Sequence, residues 1–261
     1  MIIRTIVILT IFAAGATVVR ADGPLRDTPA AVVAYNWSGT YIGVSAGGAW
    51  NQINDAWPQR DHYFKGDSAQ DTHATTWAGG GHIGIQRQWS RLVLGIEASW
   101  WWYGANDQQS VCRTCSVALS NVGIENSAEW SWSIAGRVGH AWDRWLAYLK
   151  GGYTQTRIHS LEAIARLTLP GQNPFADPVT LTEVRRTHAG AIVGAGLEYA
   201  LTDNWIVGLE YAHIFVSAKD HYGLLTAVTA GAPAAPLFGN TRIDGSVDTV
   251  QARVRYKIIP W

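Results

Sequence analysis

"RLVLGIEASWWWYGAN", residues 91–106, sets Leu92, Val93, Leu94, Ile96 and three consecutive tryptophans around a single carboxylate, Glu97. Taken in twos, Leu92, Leu94, Ile96, Ala98, Trp100 and Trp102 fall on one side. Val93, Gly95, Glu97, Ser99, Trp101 and Tyr103 fall on the other. A β-strand with one greasy face and one wetter face fits this alternation, and the rest of the chain must supply an environment for both.

Seven more segments alternate in the same way. The eight run over about 37–51, 75–89, 91–105, 127–142, 144–160, 185–202, 204–219 and 246–259, and each reaches the roughly 9 to 11 residues that a tilted membrane strand needs. Tight polar turns at Trp89-Ser90-Arg91, Asp143-Arg144 and Thr202-Asp203-Asn204 alternate strictly with long connections at 52–74, 106–126, 161–184 and 220–245. That alternation predicts an all-β fold, an eight-stranded antiparallel up-and-down transmembrane β-barrel with short periplasmic turns and long extracellular loops. Trp37, Trp89, Trp142, Trp145, Trp205 and Trp261 gather at the short-turn ends. Trp50, Trp77, Trp100, Trp102, Trp130 and Trp132 gather at the long-loop ends, as two interfacial girdles would.

Composition agrees. The 261 residues include 27 glycines, 14 tryptophans and no methionine beyond Met1, which describes a β-rich chain with an aromatic surplus. Residues 1–21, with Arg4, the apolar run Ile6 to Ala16 and Val19-Arg20-Ala21, read as a secretory signal peptide. Residues 22–36 read as a periplasmic lead-in, and 37–261 as the barrel. Removal of the signal leaves 18 basic against 20 acidic residues, a balance that offers nothing to nucleic acid.

Four stretches carry a resemblance: "WSGTYIGVSAGGAW" at 37–50, "SIAGRVGHAWDRWLAYLKGGY" at 133–153, "IVGAGLEYALTDNWIVGLEYAH" at 192–213 and "VRYKI" at 254–258. They resemble the small outer-membrane β-barrel proteins of alphaproteobacteria, the group of the 25 and 31 kDa major surface antigens. The likeness covers the strands rather than the long loops. It implies the outer membrane of a Gram-negative bacterium, a porin-like envelope protein, and contact with outer-membrane lipids, lipopolysaccharide and the barrel-assembly machinery. Such barrels usually finish on an aromatic residue after the Tyr-Lys pair. Here Ile258 takes that place and Ile259-Pro260-Trp261 follows, so Pro260 is expected to break the ladder and leave Trp261 beyond it.

The same parity turns Glu97, Arg137, Lys150, Glu198, Glu210, Arg253 and Arg255 inward, where lipid does not meet them. A two-residue hairpin at Asp143-Arg144 sets Arg137 directly opposite Lys150, and Glu97 and Glu210 are the expected counter-charges. An interior plug of ion pairs is favoured over a gate, because eight strands enclose a space that side chains fill. Cys112 and Cys115 in the second long loop are expected to form a local disulfide outside the cytoplasm. His82 and His188 face inward, His140 and His213 outward. His213 and Ser217 stand roughly 13 Å apart along one strand at about 3.3 Å per residue, too far for a catalytic dyad. "GGGHIG" at 79–84 lies within a strand and opens no helix, so it is no phosphate loop. No catalytic residue, cofactor or metal is expected. The expected role is structural: four extracellular loops presented to envelope or host-surface partners, with a narrow solute channel and a lipid-modifying enzyme as the alternatives.

Overall fold

The computed structural model describes residues 35–56, 69–104, 109–112, 120–166, 178–226 and 236–260. The chain divides into residues 1–33 and 34–261. The segment expected to be a signal peptide and most of the expected lead-in lie outside the described residues. The strands are β1 (Gly39–Ala56), β2 (Ala69–Trp89), β3 (Leu92–Tyr103), β4 (Gln109–Cys112), β5 (Ser120–Trp142), β6 (Trp145–Arg166), β7 (Pro178–Ala200), β8 (Trp205–Thr226) and β9 (Pro236–Pro260). Both β3 and β4 pair with β5, so they are two lengths of one stave. Every stave pairs antiparallel with its neighbours in sequence, and β1 pairs with β9. Eight staves therefore close into a ring, and the hydrocarbon meets no open sheet edge.

Cross-strand partners show how the ring closes. Starting at Gly39, they lead through Gln86, Gly95, Arg137, Lys150, Gly194, Ala212 and Thr249 and return to β1 at Ala49, ten residues further on. With strands about 4.8 Å apart and about 3.3 Å per residue, that stagger tilts the staves by roughly 40°. The tight turns set the register. Ser90 and Asp143 have φ of 56° and 52°, and each is the first of its two turn residues, the φ signature of a type II′ hairpin. The four-residue turn at 201–204 is held by Thr202 Oγ1, which accepts from the Trp205 amide at 3.0 Å.

The strands outrun their apolar alternation. β8 and β9 pair beyond an irregularity at Val216/Lys219 as far as Thr226 opposite Pro236, and β6 and β7 pair as far as Ala165 opposite Pro178. Much of each expected long loop is thus hairpin. Beyond the membrane both faces of a strand meet water, so the side chains stop alternating while the backbone ladder continues. At the other end, Ile258 bulges from β9 and pairing carries on to Pro260 opposite Gly39, so the ladder reaches the proline that was expected to break it. A proline at the end of a strand interrupts nothing further along. Trp261 lies outside the described residues.

Outward side chains form the lipid face, with Ile42, Ile83, Ile96, Leu149, Val193 and Leu209 among the exposed ones. Trp89, Trp142, Trp145 and Trp205 ring the periplasmic side; Trp50, Trp77, Trp100 and Trp102 ring the other, with Trp130 stacked on Trp100 at 4.9 Å. Trp37 departs from the expected girdle. It is 0% exposed, tucked into the periplasmic mouth with its amide donating to Gln88 Oε1 and its carbonyl accepting from Gln86 Nε2, both at 2.7 Å. Lys257 Nζ holds the Asn36 carbonyl at 2.8 Å, and Tyr35 donates to the Asp203 carbonyl at 3.1 Å. Burial pushes the Tyr35 hydroxyl up to about 12, so it remains a donor. Residues 35–38 thus strap β2, β9 and the 201–204 turn together across the β1–β9 seam.

Two outcomes follow from this closure. Detergent-extracted protein should migrate differently on gels before and after boiling, whereas identical mobility would contradict a closed ladder. Trp37→Ala should shorten the unfolding half-life in lipid vesicles, because emptying a buried aromatic site costs about 3 to 5 kcal/mol; an unchanged half-life would mean that the strap contributes nothing.

Candidate functional site

Inside the periplasmic half, seven charged side chains converge from six staves: Glu97 on β3, Arg137 on β5, Lys150 on β6, Glu198 on β7, Glu210 on β8, and Arg253 and Arg255 on β9. All seven are buried. Arg137 stands directly opposite Lys150, and like charges at that separation demand carboxylates. Arg137 donates to Glu97 at 3.1 Å and to Glu198 at 2.9 Å. Lys150 lies 2.6 Å from Glu210 and 3.7 Å from Glu97. Arg253 bridges Glu97 at 2.6 Å and also pairs with Glu210, while Arg255 pairs with Glu198. The charges form one continuous network that spans the lumen.

Glu97 and Glu210 both reach the Arg137–Lys150 pair, and the network has further members. Glu210 also serves Arg253, and the second carboxylate at Arg137 is Glu198, two staves away on β7. Two tyrosines also belong to it. Tyr41 receives a hydrogen bond from Arg137 at 2.6 Å and donates to Glu97 at 2.9 Å. Tyr148 receives one from Arg253 at 2.9 Å and donates to Glu210 at 2.6 Å, and its ring lies 3.7 Å under the Arg137 guanidinium. Each tyrosine faces a glycine on the next stave, Gly84 and Gly196, where an added Cβ would overlap the phenol. An inward tyrosine paired with an inward glycine was the signal available in the sequence.

Above the charges the lumen changes character. Trp101 Nε1 donates to Gln251 Oε1 at 2.9 Å, Tyr103 donates to Ser131 at 3.1 Å, and Ser131 and Thr156 share a hydrogen bond of 2.8 Å. Trp101 and Tyr103 also pack with Ile53, Ile158, Ile192, Ile214, Ile243 and Val247 in one apolar cluster. A second cluster, with Trp37, Val93, Leu146 and Ile206, closes the periplasmic mouth. The inward residues named in these layers are at most 7% exposed. The lumen carries buried apolar clusters and, between them, a cross-linked set of charges and hydroxyls.

The histidines keep their sides: His82 and His188 are buried, and His213 is half-buried on the outer face. There the structure makes a pairing that parity alone did not find. His213 Nδ1 lies 2.7 Å from Asp248 Oδ1, the same oxygen that accepts from Tyr211 at 2.6 Å, and Asp248 is the cross-strand partner of the girdle residue Trp50. Among the described residues no serine hydroxyl bonds to His213, and Ser217 meets the inward His188 through its carbonyl at 3.0 Å. Cys112 ends β4, and Cys115 lies outside the described residues together with any disulfide.

Parity and charge combine in a ranking of neighbours. Glu97 is 1% exposed inside, and Ile96 is 59% exposed on the lipid face. Glu97→Ala leaves Arg137, Lys150 and Arg253 short of a carboxylate, and breaking such a buried arrangement costs about 3 to 5 kcal/mol. Ile96→Ala should cost less, because hydrocarbon fills the space. Denaturant unfolding of both variants in vesicles checks the order, and a larger loss for Ile96→Ala would overturn it.

With this geometry established, comparison with known proteins gives a family. The outer membrane protein beta-barrel domain matches residues 12–257. The 31 kDa outer-membrane immunogenic protein of Brucella melitensis biotype 1 is 30% identical over 202 residues, 73% of this chain and 75% of that protein. The 22 kDa outer membrane protein of Rhizobium leguminosarum bv. viciae is 26% identical over 186 residues, 71% and 67% of the two chains. The crystal structure of the outer membrane protease OmpT from Escherichia coli aligns with 87% of this chain and 99% of its own at 9% identity and a TM-score of 0.49, and nothing of its chemistry is carried over. The chain belongs to the outer membrane protein beta-barrel family, as a small barrel of the Gram-negative outer membrane related to the alphaproteobacterial immunogenic surface proteins.

Proposed function

We propose that this protein is a structural barrel, closed to solutes, that anchors four extracellular hairpins in the outer membrane and supports envelope integrity and surface interactions. The observation that carries this reading is the filled lumen. A diffusion pore needs interior side chains in contact with water, whereas here an apolar plug, a hydroxyl and amide ring, an ion-pair network and the Trp37 strap follow one another along the axis. Eight staves leave room for side chains and little else.

The outer face supports a role for lipid. Just beyond the Trp130 level, Glu129 pairs with Arg157 at 3.1 Å and with Arg185 at 2.9 Å, and His159 meets Glu183 at 3.1 Å. A belt of mixed charge next to a tryptophan girdle suits the headgroups of outer-membrane lipids and lipopolysaccharide. The hairpins are the parts available to envelope or host-surface partners, and the barrel-assembly machinery is the partner in biogenesis.

Planar-bilayer recording on refolded protein should show no unitary current steps, and reproducible ohmic steps in the wild type would replace the closed-anchor reading with a channel. A lipid-modifying enzyme has one observation in its favour, the His213–Asp248 pair on the lipid face. Lipid A from cells producing wild type or His213→Ala should have the same mass profile. A species that depends on His213 would make that pair part of an active site.

A further inference from the structure

The charge network is short of acceptors. Its three carboxylates, Glu97, Glu198 and Glu210, face four cations, Arg137, Lys150, Arg253 and Arg255. Every carboxylate oxygen is already engaged. Glu97 Oε1 takes Ser99 at 3.3 Å and Lys150 at 3.7 Å, and its Oε2 takes Tyr41, Arg137 and Arg253. Glu198 divides between Arg137 and Arg255. Glu210 gives one oxygen to Lys150 and the other to Tyr148 and Arg253. One positive charge remains over in a lumen walled by apolar clusters on both sides.

That surplus centres on Arg255, because among the described residues Arg137 and Arg253 each leave only Nε without a partner whereas Arg255 leaves two nitrogens. Arg255 is 1% exposed and bonds only through Nη2, to Glu198; its Nε and Nη1 meet no acceptor among the described residues. Its guanidinium lies 4.1 Å over the Tyr41 ring, which attracts the charge but accepts none of those in-plane hydrogens. Along the ladder, Gly43 pairs with Arg255 on one side and with His82 on the other, so three inward positions form a row whose middle member has no side chain. His82 leans over Gly43, where an added Cβ would overlap its Nε2, and that Nε2 is also buried without a partner. Three unpartnered nitrogens, on two side chains, therefore border one row beside the surplus charge.

We infer that the periplasmic half of the lumen holds a small monovalent anion of chloride size, bound by Arg255 Nη1 and Nε with His82 Nε2–H as a further donor. A water molecule could accept those hydrogen bonds but would leave the charge uncompensated, and buried charge in a low-dielectric interior is stable only when paired. Trp37 below and the apolar layer above exclude larger anions and enclose the ion, which enters while the barrel closes. Binding to the folded state alone makes the ion a ligand that stabilises the barrel by mass action.

The test is refolding of urea-denatured protein into phosphatidylcholine vesicles in sodium chloride, sodium bromide or sodium gluconate at equal ionic strength, followed by gel-shift measurement of the unfolding half-life. Chloride and bromide should lengthen that half-life several-fold over gluconate and in a saturable way, and Arg255→Gln should remove the difference. Crystals of wild-type protein grown in bromide should show an anomalous peak within hydrogen-bond distance of Arg255 and His82, which decides the matter if Arg255→Gln does not fold. Equal half-lives in the three salts, a halide effect that survives in Arg255→Gln, or a bromide map with no peak at Arg255 would each overturn the inference.

Discussion

A peptide group in hydrocarbon has no water to bond, so each N–H and C=O that crosses the membrane must find its partner within the protein. Everything else about this barrel follows from meeting that demand with strands. The ladder has to return on itself, and it does so where β1 meets β9. Closure with a ten-residue stagger sets the tilt and the bore, and the bore sets what the inward side chains are able to do. The strap formed by Tyr35, Asn36 and Trp37 lies across that seam, where β1 meets the last strand in the sequence.

A bore this narrow cannot leave charged side chains in bulk water, and it cannot leave them isolated. Pairing is the remaining course, and it is costly: buried ion pairs rarely stabilise a fold more than well-packed apolar residues would, while removal of one member is severe. Their value lies in specificity. Arg137 reaches Glu97, diagonal to it on the paired strand β3, and Glu198, two staves away on β7, so the network forms only when these strands pair in the correct register. A slip of one residue in any of them would turn that strand's charges toward lipid. The apolar layer nearer the extracellular side has no such selectivity and contributes burial instead.

Family membership does not choose among functions, because barrels of one architecture serve many. In this chain the observation that bears on the choice is the buried set of side chains in its lumen. The alternation of short and long connections places four hairpins at one end of the barrel.

Strand parity, the end of the barrel reached by each connection, the even number of staves and the pairing of Arg137 with Lys150 were all legible in the sequence. Each depends on backbone geometry within a strand or across one tight turn, as at Asp143-Arg144. The heights of the hairpins were not legible, because β8 and β9 keep their ladder beyond the point where side chains alternate. Nor was the place of Trp37, since an interfacial tryptophan and a buried one look alike until the lumen has a shape to receive it. The contacts of Glu198 with Arg137, and of His213 with Asp248, belong to the tertiary structure alone. The first passes over β6 to a stave two places away, inside a bore whose curvature comes only with closure of the whole ring. The second joins direct cross-strand partners on β8 and β9, whose register is set across a long hairpin rather than by a tight turn, so no local stretch of residues encodes either distance.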